Sequence, residues 1–285
     1  MNLKRKIDIV VISDVHLGTH GCNAKALVNY LSNIQPKTIV LNGDIIDIWQ
    51  FKKSYFPKSH LKVIKILMDF AANGTQVIYV TGNHDEMLRK FAGTHIGKIS
   101  IVNKVVLNLH GRKAWVFHGD VFDMSVQRAK WLANLGGWGY DMLIRLNRLV
   151  NWYLEKRGKP RYSISKKIKS SVKGAVKFIS DFEKTATDLA IENNYDFVIC
   201  GHIHQPKIEK IKTKKGSTTY LNSGDWIENF TALEYQFKRW KLYHYDKDKL
   251  SAFYPDEDLK EENVKDLISA ITIVDPKLKD KIDII

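Results

Sequence analysis

An α/β sandwich of two sheets flanked by helices, with a helical insertion, is what this sequence predicts, and three observations carry the prediction. Short β-branched runs alternate with helical periods in the first third of the chain, short strands without helices follow, and a long helical stretch over residues 121–192 separates them from a last group of strands. At 285 residues the chain is long enough to bury a sizeable core.

The first element is Ile7–Ser13, a β-branched run that stops at Asp14, and Thr38–Asn42 and Gln76–Thr81 repeat the pattern. Between them lie the helical patterns Ala24–Ile34 and Leu61–Ala72, the second with Leu61, Ile64, Leu67 or Met68 and Ala71 on one face. Strand, helix, strand in this order predicts βαβ units and a largely parallel sheet. Val105–Leu109 and Lys113–His118, joined by His110-Gly111-Arg112, read as a hairpin. After the helical stretch come Asp196–Cys200, Lys207–Lys212, Ser217–Asn222, Thr231–Gln236 and Arg239–Tyr245, expected to form an antiparallel meander in a second sheet. Residues 1–247 are thus expected to make one domain that includes the insertion 121–192, and 248–285 a charged, weakly patterned tail.

Composition narrows the function classes. The charged fraction of 27% and hydrophobic fraction of 44% exclude a disordered or collagenous chain. Two cysteines, Cys22 and Cys200, cannot build a disulfide framework or a four-cysteine zinc site, and a reducing compartment fits them best. The run Ile7–Ser13, broken by Asp8, lacks the form of a secretory leader, and no uninterrupted apolar stretch reaches the roughly 18 residues a spanning helix needs. The formal charge is +14, and Arg145–Lys177 alone holds eleven basic residues against Glu155. A patch this dense either faces something anionic or is a heavily solvated helix face.

Chemistry is concentrated in five polar clusters that each follow a predicted strand: Asp14-Val15-His16, Gly43-Asp44, Gly82-Asn83-His84-Asp85, His118-Gly119-Asp120 and Gly201-His202-Ile203-His204. Ligands of α/β sheets bind at strand carboxyl ends, so the five are expected to converge on one rim. Carboxylates, an amide oxygen and imidazoles together form the ligand set of Mn, Fe or Zn. One intervening residue in Asp14-Val15-His16 and in His202-Ile203-His204 puts both side chains of an extended segment on the same side. Glycine before Asp44, Asn83 and His202 suits turns with positive φ or close approach of backbone to an ion. Any one cluster alone is weak; five in order are strong.

The set resembles the calcineurin-like metallophosphoesterases, whose blocks D-x-H, G-D-x-x-D, G-N-H-D, H-G-D and G-H-x-H stand here from Asp14 to His204, with Asp47 closing the second block. The resemblance implies that family's fold and two divalent metal ions, most simply Mn, with Fe or Zn as alternatives. One ion would be held by Asp14, His16, Asp44 and His204, the other by Asp44, Asn83, His118 and His202, with Asp44 shared. Such a pair clamps a phosphoryl group and readies water for in-line attack. The same resemblance makes His84 the donor to the leaving oxygen, held or polarised by Asp85, although His84 could instead only bind the phosphate. Asp47 either orients a metal-ligating histidine or caps the next helix.

The insertion bears on the substrate. Met142, Leu146, Leu149, Val150 and Tyr153 share one face of residues 138–154, and Ile164, Ile168, Val172, Ala175, Ile179 and Phe182 line up on the next helix, with Lys166, Lys169, Lys173 and Lys177 mostly elsewhere. These stripes read either as packing onto the core or as a slot for acyl chains beside a face for anionic lipid. A nucleic-acid partner explains the charge and explains the long aliphatic stripe less well, although Trp and Tyr could stack on bases.

The opening Ile12–Gly18, His118-Gly119-Asp120, Gly201–Pro206 and Leu221–Trp226 more closely resemble bacterial UDP-2,3-diacylglucosamine diphosphatases and their near relatives, which also carry a helical lid between the H-G-D and G-H-x-H blocks, where this chain has residues 121–192. The resemblance implies a lipid A step: hydrolysis of UDP-2,3-diacylglucosamine to 2,3-diacylglucosamine 1-phosphate and UMP. Its setting would be cytoplasmic, at the inner face of the membrane, with peripheral attachment through the basic helices 138–182 and no obligate nucleic acid. Asn83, His84, Trp138, Leu149, Trp152, Lys166 and Lys169 would then contact substrate. The best-known branch has Arg where this chain has His84, so the substrate is either the same one cleaved with a different acid or another lipid-linked or nucleotide-linked pyrophosphate; the rival reading is a phosphodiesterase or phosphatase for nucleotides, nucleic acid or phosphoproteins, with the basic helices gripping the polyanion. The segment Asp225–Phe230 either lines the cleft or packs as a turn.

Overall fold

The computed structural model describes residues 4–49, 55–122, 151, 154–158 and 173–248. β1 (Arg5–Ile12), β2 (Ile34–Asn42), β3 (Gln76–Val80) and β5 (Ile99–Val102) run parallel in a seven-stranded sheet, in the order β12-β11-β1-β2-β3-β5-β4. Here β4 is His95–Ile96, β11 is Thr231–Gln236 and β12 is Arg239–His244. The second sheet has five strands in the order β6-β7-β8-β10-β9, formed by Lys104–Leu109, Arg112–Phe117, Phe197–Cys200, Gly216–Asn222 and Lys207–Thr213 respectively. The two-sheet α/β architecture is therefore the one the strand and helix pattern predicts.

α1 (Ala24–Ser32) starts where the Asn23 side chain accepts from the Ala26 amide, and stops two residues before the predicted end because Ile34 already opens β2. α2 (Lys58–Ala72) begins directly after Pro57, which cannot donate to a preceding turn. Both pack on one face of the first sheet through Leu27, Leu31, Val63, Leu67 and Phe70 against Val10, Ile12 and Ile39. The opposite face, with Val11, Val40, Ile78 and Leu233, meets Val116, Ile199 and Leu221 of the second sheet. α3 (Lys173–Glu192) covers the far face of that sheet, inserting Phe182, Ala186 and Ala190 over Phe117, Val198 and Tyr220. The layers are thus helix, sheet, sheet, helix. Cys22 and Cys200 are buried and free.

The expected antiparallel meander is corrected. β8 is parallel to both β7 and β10, and of the strands expected in the meander only β9 and β10 pair as a hairpin within the second sheet, beside the predicted β6–β7 hairpin. The β11–β12 hairpin crosses to the first sheet, where β11 pairs antiparallel with β1. The physical reason lies in burial: all four residues of β8 and the first five of β11 are covered on both faces, which requires interior positions. Glu234 of β11 is also tied to Arg5 by a paired ion bridge and to the Tyr30 hydroxyl.

Of the predicted insertion 121–192, α3 and the short stretches at 121–122, 151 and 154–158 are described. Trp138, Leu149, Trp152, Lys166 and Lys169 lie outside the described residues, as does the tail beyond Asp248.

Candidate active site

Parallel strands deliver their carboxyl ends to one side, and here both sheets do so together. Asp14 and His16 follow β1, Asp44 and Asp47 follow β2, Asn83 and His84 follow β3, His118 follows β7, and His202 and His204 follow β8. Backbone bonds stitch the first two loops: Asp14 N donates to Gly43 O, and the amides of Val15 and His16 both donate to Asp44 O. Three groups of side chains bring one ligand atom each within 4.8 Å of one another: Asp14/His16/His204, His16/Asp44/His84 and Asp44/His118/His202.

The convergence arises differently from the extended segments that the spacing suggested. β1 ends at Ile12, and Asp14, His16, Asp44, His202 and His204 all have φ between 52° and 64°. A non-glycine residue in this left-handed region costs on the order of 1 kcal/mol or more, and such strain concentrates where function demands a geometry. Gly43 does have positive φ, at 80°, and a Cβ there would lie 2.3 Å from His118 Nδ1. Gly82 is required for space instead: its Cβ would stand 2.2 Å from Asp44 Oδ1.

Three histidines are anchored through Nδ1 so that Nε2 faces the cluster. His118 Nδ1 is 2.8 Å from Asn42 O, His16 Nδ1 is 3.2 Å from Asp47 Oδ2, and His204 Nδ1 is 3.5 Å from Asp225 Oδ2. Their Nε2 atoms approach carboxylates: His118 lies 3.1 Å and His16 3.9 Å from Asp44 Oδ2, and His204 lies 3.1 Å from Asp14 Oδ1. Asp44 Oδ2 therefore stands between the two groups. The His202 amide donates to both oxygens of Asp14, and the His84 amide to Asp44 Oδ1.

Burial and pairing set the protonation. Burial pushes the His118 imidazole down, but Asp44 outweighs it and lifts the pKa to about 10. Burial likewise opposes His204, which Asp14 and then Asp225 raise to about 10. In return, against the upward push of burial, His118 and His16 hold Asp44 well below the ordinary carboxylate value, and His204 lowers Asp14. Hydrogen bonding to Asp47 raises His84 although burial opposes it.

Two expectations change in detail. The carboxylate on the His84 ring is Asp47, whose Oδ2 is 2.8 Å from Nδ1, and not Asp85. Asp85 is turned inward, accepting from the amides of Gly82 and Ile45 and from the Tyr79 hydroxyl. Asp47 thus bridges His16 and His84, the orienting alternative rather than the helix cap. Asp225, absent from the expected ligand set, is pinned by the amides of Ile227, Glu228 and Asn229 while it faces His204. Its neighbour Trp226 is fully buried, so the 225–230 turn supports the site from behind. The short Gly224-Asp225 step after β10 was the available signal.

The donor chemistry suits divalent cations. His16 Nε2, among carboxylates and imidazoles of mixed oxygen and nitrogen character, and Asn83 Oδ1, on the loop after β3, are buried without hydrogen-bond partners. Each orphan atom is a lone-pair donor, the need a cation meets.

The sequence also matches known proteins. The family profile described as calcineurin-like phosphoesterase matches residues 7–206. A UDP-2,3-diacylglucosamine hydrolase from Blochmanniella pennsylvanica (strain BPEN) is 28% identical over 241 residues, covering 80% of this chain and 92% of its own. The protein of the same name from Vibrio cholerae (El Tor Inaba N16961) is 25% identical over 79% of this chain and 93% of its own. A solved archaeal phosphodiesterase aligns over 83% of this chain and 98% of its own, at 14% identity and a TM-score of 0.40.

Proposed function

The chain belongs to the calcineurin-like phosphoesterases, metal-dependent hydrolases of phosphoric esters, and within that family we propose that it cleaves the pyrophosphate of a lipid-linked sugar nucleotide. The preferred substrate is UDP-2,3-diacylglucosamine, giving 2,3-diacylglucosamine 1-phosphate and UMP. The observation that carries the reaction class is the convergence of Asp14, His16, Asp44, Asn83, His118, His202 and His204 at the ends of strands from both sheets.

In this reading Asp14, His16, Asp44 and His204 hold one cation and Asp44, Asn83, His118 and His202 the other, with Mn preferred over Fe or Zn. When bound, the pair supplies Lewis acidity toward phosphoryl oxygens and acidifies water. The chain does the rest. Asp47, Asp225 and Asn42 O hold three imidazoles by Nδ1, presenting Nε2 lone pairs in fixed directions. His84 differs from the others: its side chain is 30% exposed, its Nδ1 is engaged by Asp47, and Nε2 is the atom left to protonate the departing oxygen.

The lipid portion is supported by the names of the relatives and by the rim. Trp49, Met87, Phe91 and Val121, on the segments that follow β2, β3 and β7, are each more than half exposed, and Trp49 Nε1 donates to Asn83 O. Apolar exposure on the loops that carry the ligands suits an amphiphilic substrate. A membrane-held substrate would place the chain at the inner membrane face, met by the basic stretch Arg145–Lys177. No helix among the described residues is long and apolar enough to cross a membrane. His84 in the place of arginine favours the second reading, a phosphodiesterase of broader range.

A substrate panel with Mn separates them. Release of UMP from the diacylated sugar nucleotide, at a kcat/KM well above that for bis-p-nitrophenyl phosphate, is the expected result. Turnover of the simple diester with no UMP release overturns the lipid reading.

A further inference from the structure

Arg89 stands on the short turn after the Gly82–Asp85 block, and its Nη2 is ion-paired with Asp120 Oδ2 in the His118-Gly119-Asp120 block. This pair ties together two of the five chemical loops, yet no part of the site described so far uses it. Asp120 is close enough to His118 to contribute to the raised pKa of that imidazole. Arg89 Nε is buried without a hydrogen-bond partner, and the side chain as a whole is 36% exposed. The buried Nε is out of a ligand's reach, but a guanidinium pinned at Nη2 by a carboxylate and partly exposed keeps N–H donors on its open side for phosphate oxygens.

We infer that Arg89, aimed by Asp120, grips the second phosphoryl group of a phosphoric anhydride, the one that is not attacked. This rests on the reading that the site cleaves a pyrophosphate. A pyrophosphate diester brings two negative charges to the site and a simple phosphodiester one. The candidate ligand cluster faces the phosphorus under attack, so the additional charge needs a cation of its own at the rim. Arg89 is that cation, donating hydrogen bonds and transferring no proton, and Asp120 is its positioning residue.

The test uses the full chain with Mn and reads inhibition of bis-p-nitrophenyl phosphate hydrolysis by two probes: α,β-methylene-UDP, with two phosphoryl groups, and UMP, with one. For the wild type the diphosphate analogue binds more tightly. Arg89→Ala should erase the preference, raising its inhibition constant relative to that of UMP by about thirtyfold, as expected for loss of charge-assisted hydrogen bonds. Arg89→Lys, which keeps the charge but not the fork, should recover only part of it. Asp120→Asn should erode the same preference, and adding it to Arg89→Ala should change nothing further, a pattern that general loosening of the site would not produce.

An unchanged ratio in Arg89→Ala, equal weakening of both probes, or a wild type without preference overturns the proposal. Because the inhibitors carry no acyl chain, failure of the diacylated substrate in the panel is a separate result. Inhibition by UMP reports whether each variant still has a folded site.

Discussion

Asp47→Asn probes the carboxylate that meets the Nδ1 atoms of two candidate site histidines with a single oxygen. In the native protein its Oδ2 lies 3.2 Å from His16 Nδ1 and 2.8 Å from His84 Nδ1. The amide that replaces it is isosteric and can still accept one hydrogen bond, so the fold is kept while the negative charge is lost. Charge-assisted bonds are about twice as strong as neutral ones, and outer partners of metal-binding histidines are worth about 10–100-fold in affinity, so a loss of about tenfold in Mn affinity is expected. A second effect has the opposite location and a definite sign. Hydrogen bonding to Asp47 is what raises the His84 pKa against the pull of burial, so its removal lowers that pKa. A protonated His84 is the proposed donor, and the alkaline limb of the kcat–pH profile should therefore move to lower pH. Titration calorimetry with Mn and a kcat profile on bis-p-nitrophenyl phosphate measure the two effects independently. Native Mn affinity together with an unmoved alkaline limb would refute the assignment of Asp47 as the orienting group.

Two further outcomes follow from the same geometry. In Gly43→Ala the new methyl would meet His118 Nδ1 at 2.3 Å, and since ordinary carbon contacts begin near 3.5 Å the imidazole must retreat by about 1 Å. Its bond to Asn42 O breaks, and Mn-dependent activity should fall by about a hundredfold; retention of native activity would sink the steric account. In the metal-free protein His118 and His204, with pKa values raised to about 10, hold protons at pH 8 that a cation on Nε2 must displace. Metal binding should then release protons, with affinity rising as pH rises, and calorimetry at pH 8 in buffers of different ionisation enthalpy reads the number released. For the metal-free chain, the stability these raised values contribute is full below about pH 6.5 and is lost as pH climbs through about 10, which denaturant melts across that window will test.

The first sheet was legible because its strands and helices announce themselves through local periodicity. Ile7–Ser13, Thr38–Asn42 and Gln76–Thr81 became β1, β2 and β3, with β2 reaching back to Ile34. The assignment of β11 to the first sheet was not legible, because partner choice depends on which faces are covered, and Glu234 finds Arg5 and Tyr30 only once β11 lies beside β1. The same division holds in the site. Clusters after strands are visible in one dimension, whereas Asp47 reaching His84, Asp85 turning inward and Asp225 reaching His204 are contacts across loops.

By itself, then, the order of residues determined the alternation of strand and helix, the residue types that gather at the strand ends, and the family those blocks resemble. These are properties of short segments, set by side-chain period and by chemical identity. Tertiary structure alone decided which carboxylate serves which imidazole, which orphan lone pairs face inward, and that five candidate ligands take a left-handed backbone. Those depend on separations of a few ångströms between loops far apart in the chain, and packing of the two sheets against each other brings such loops together.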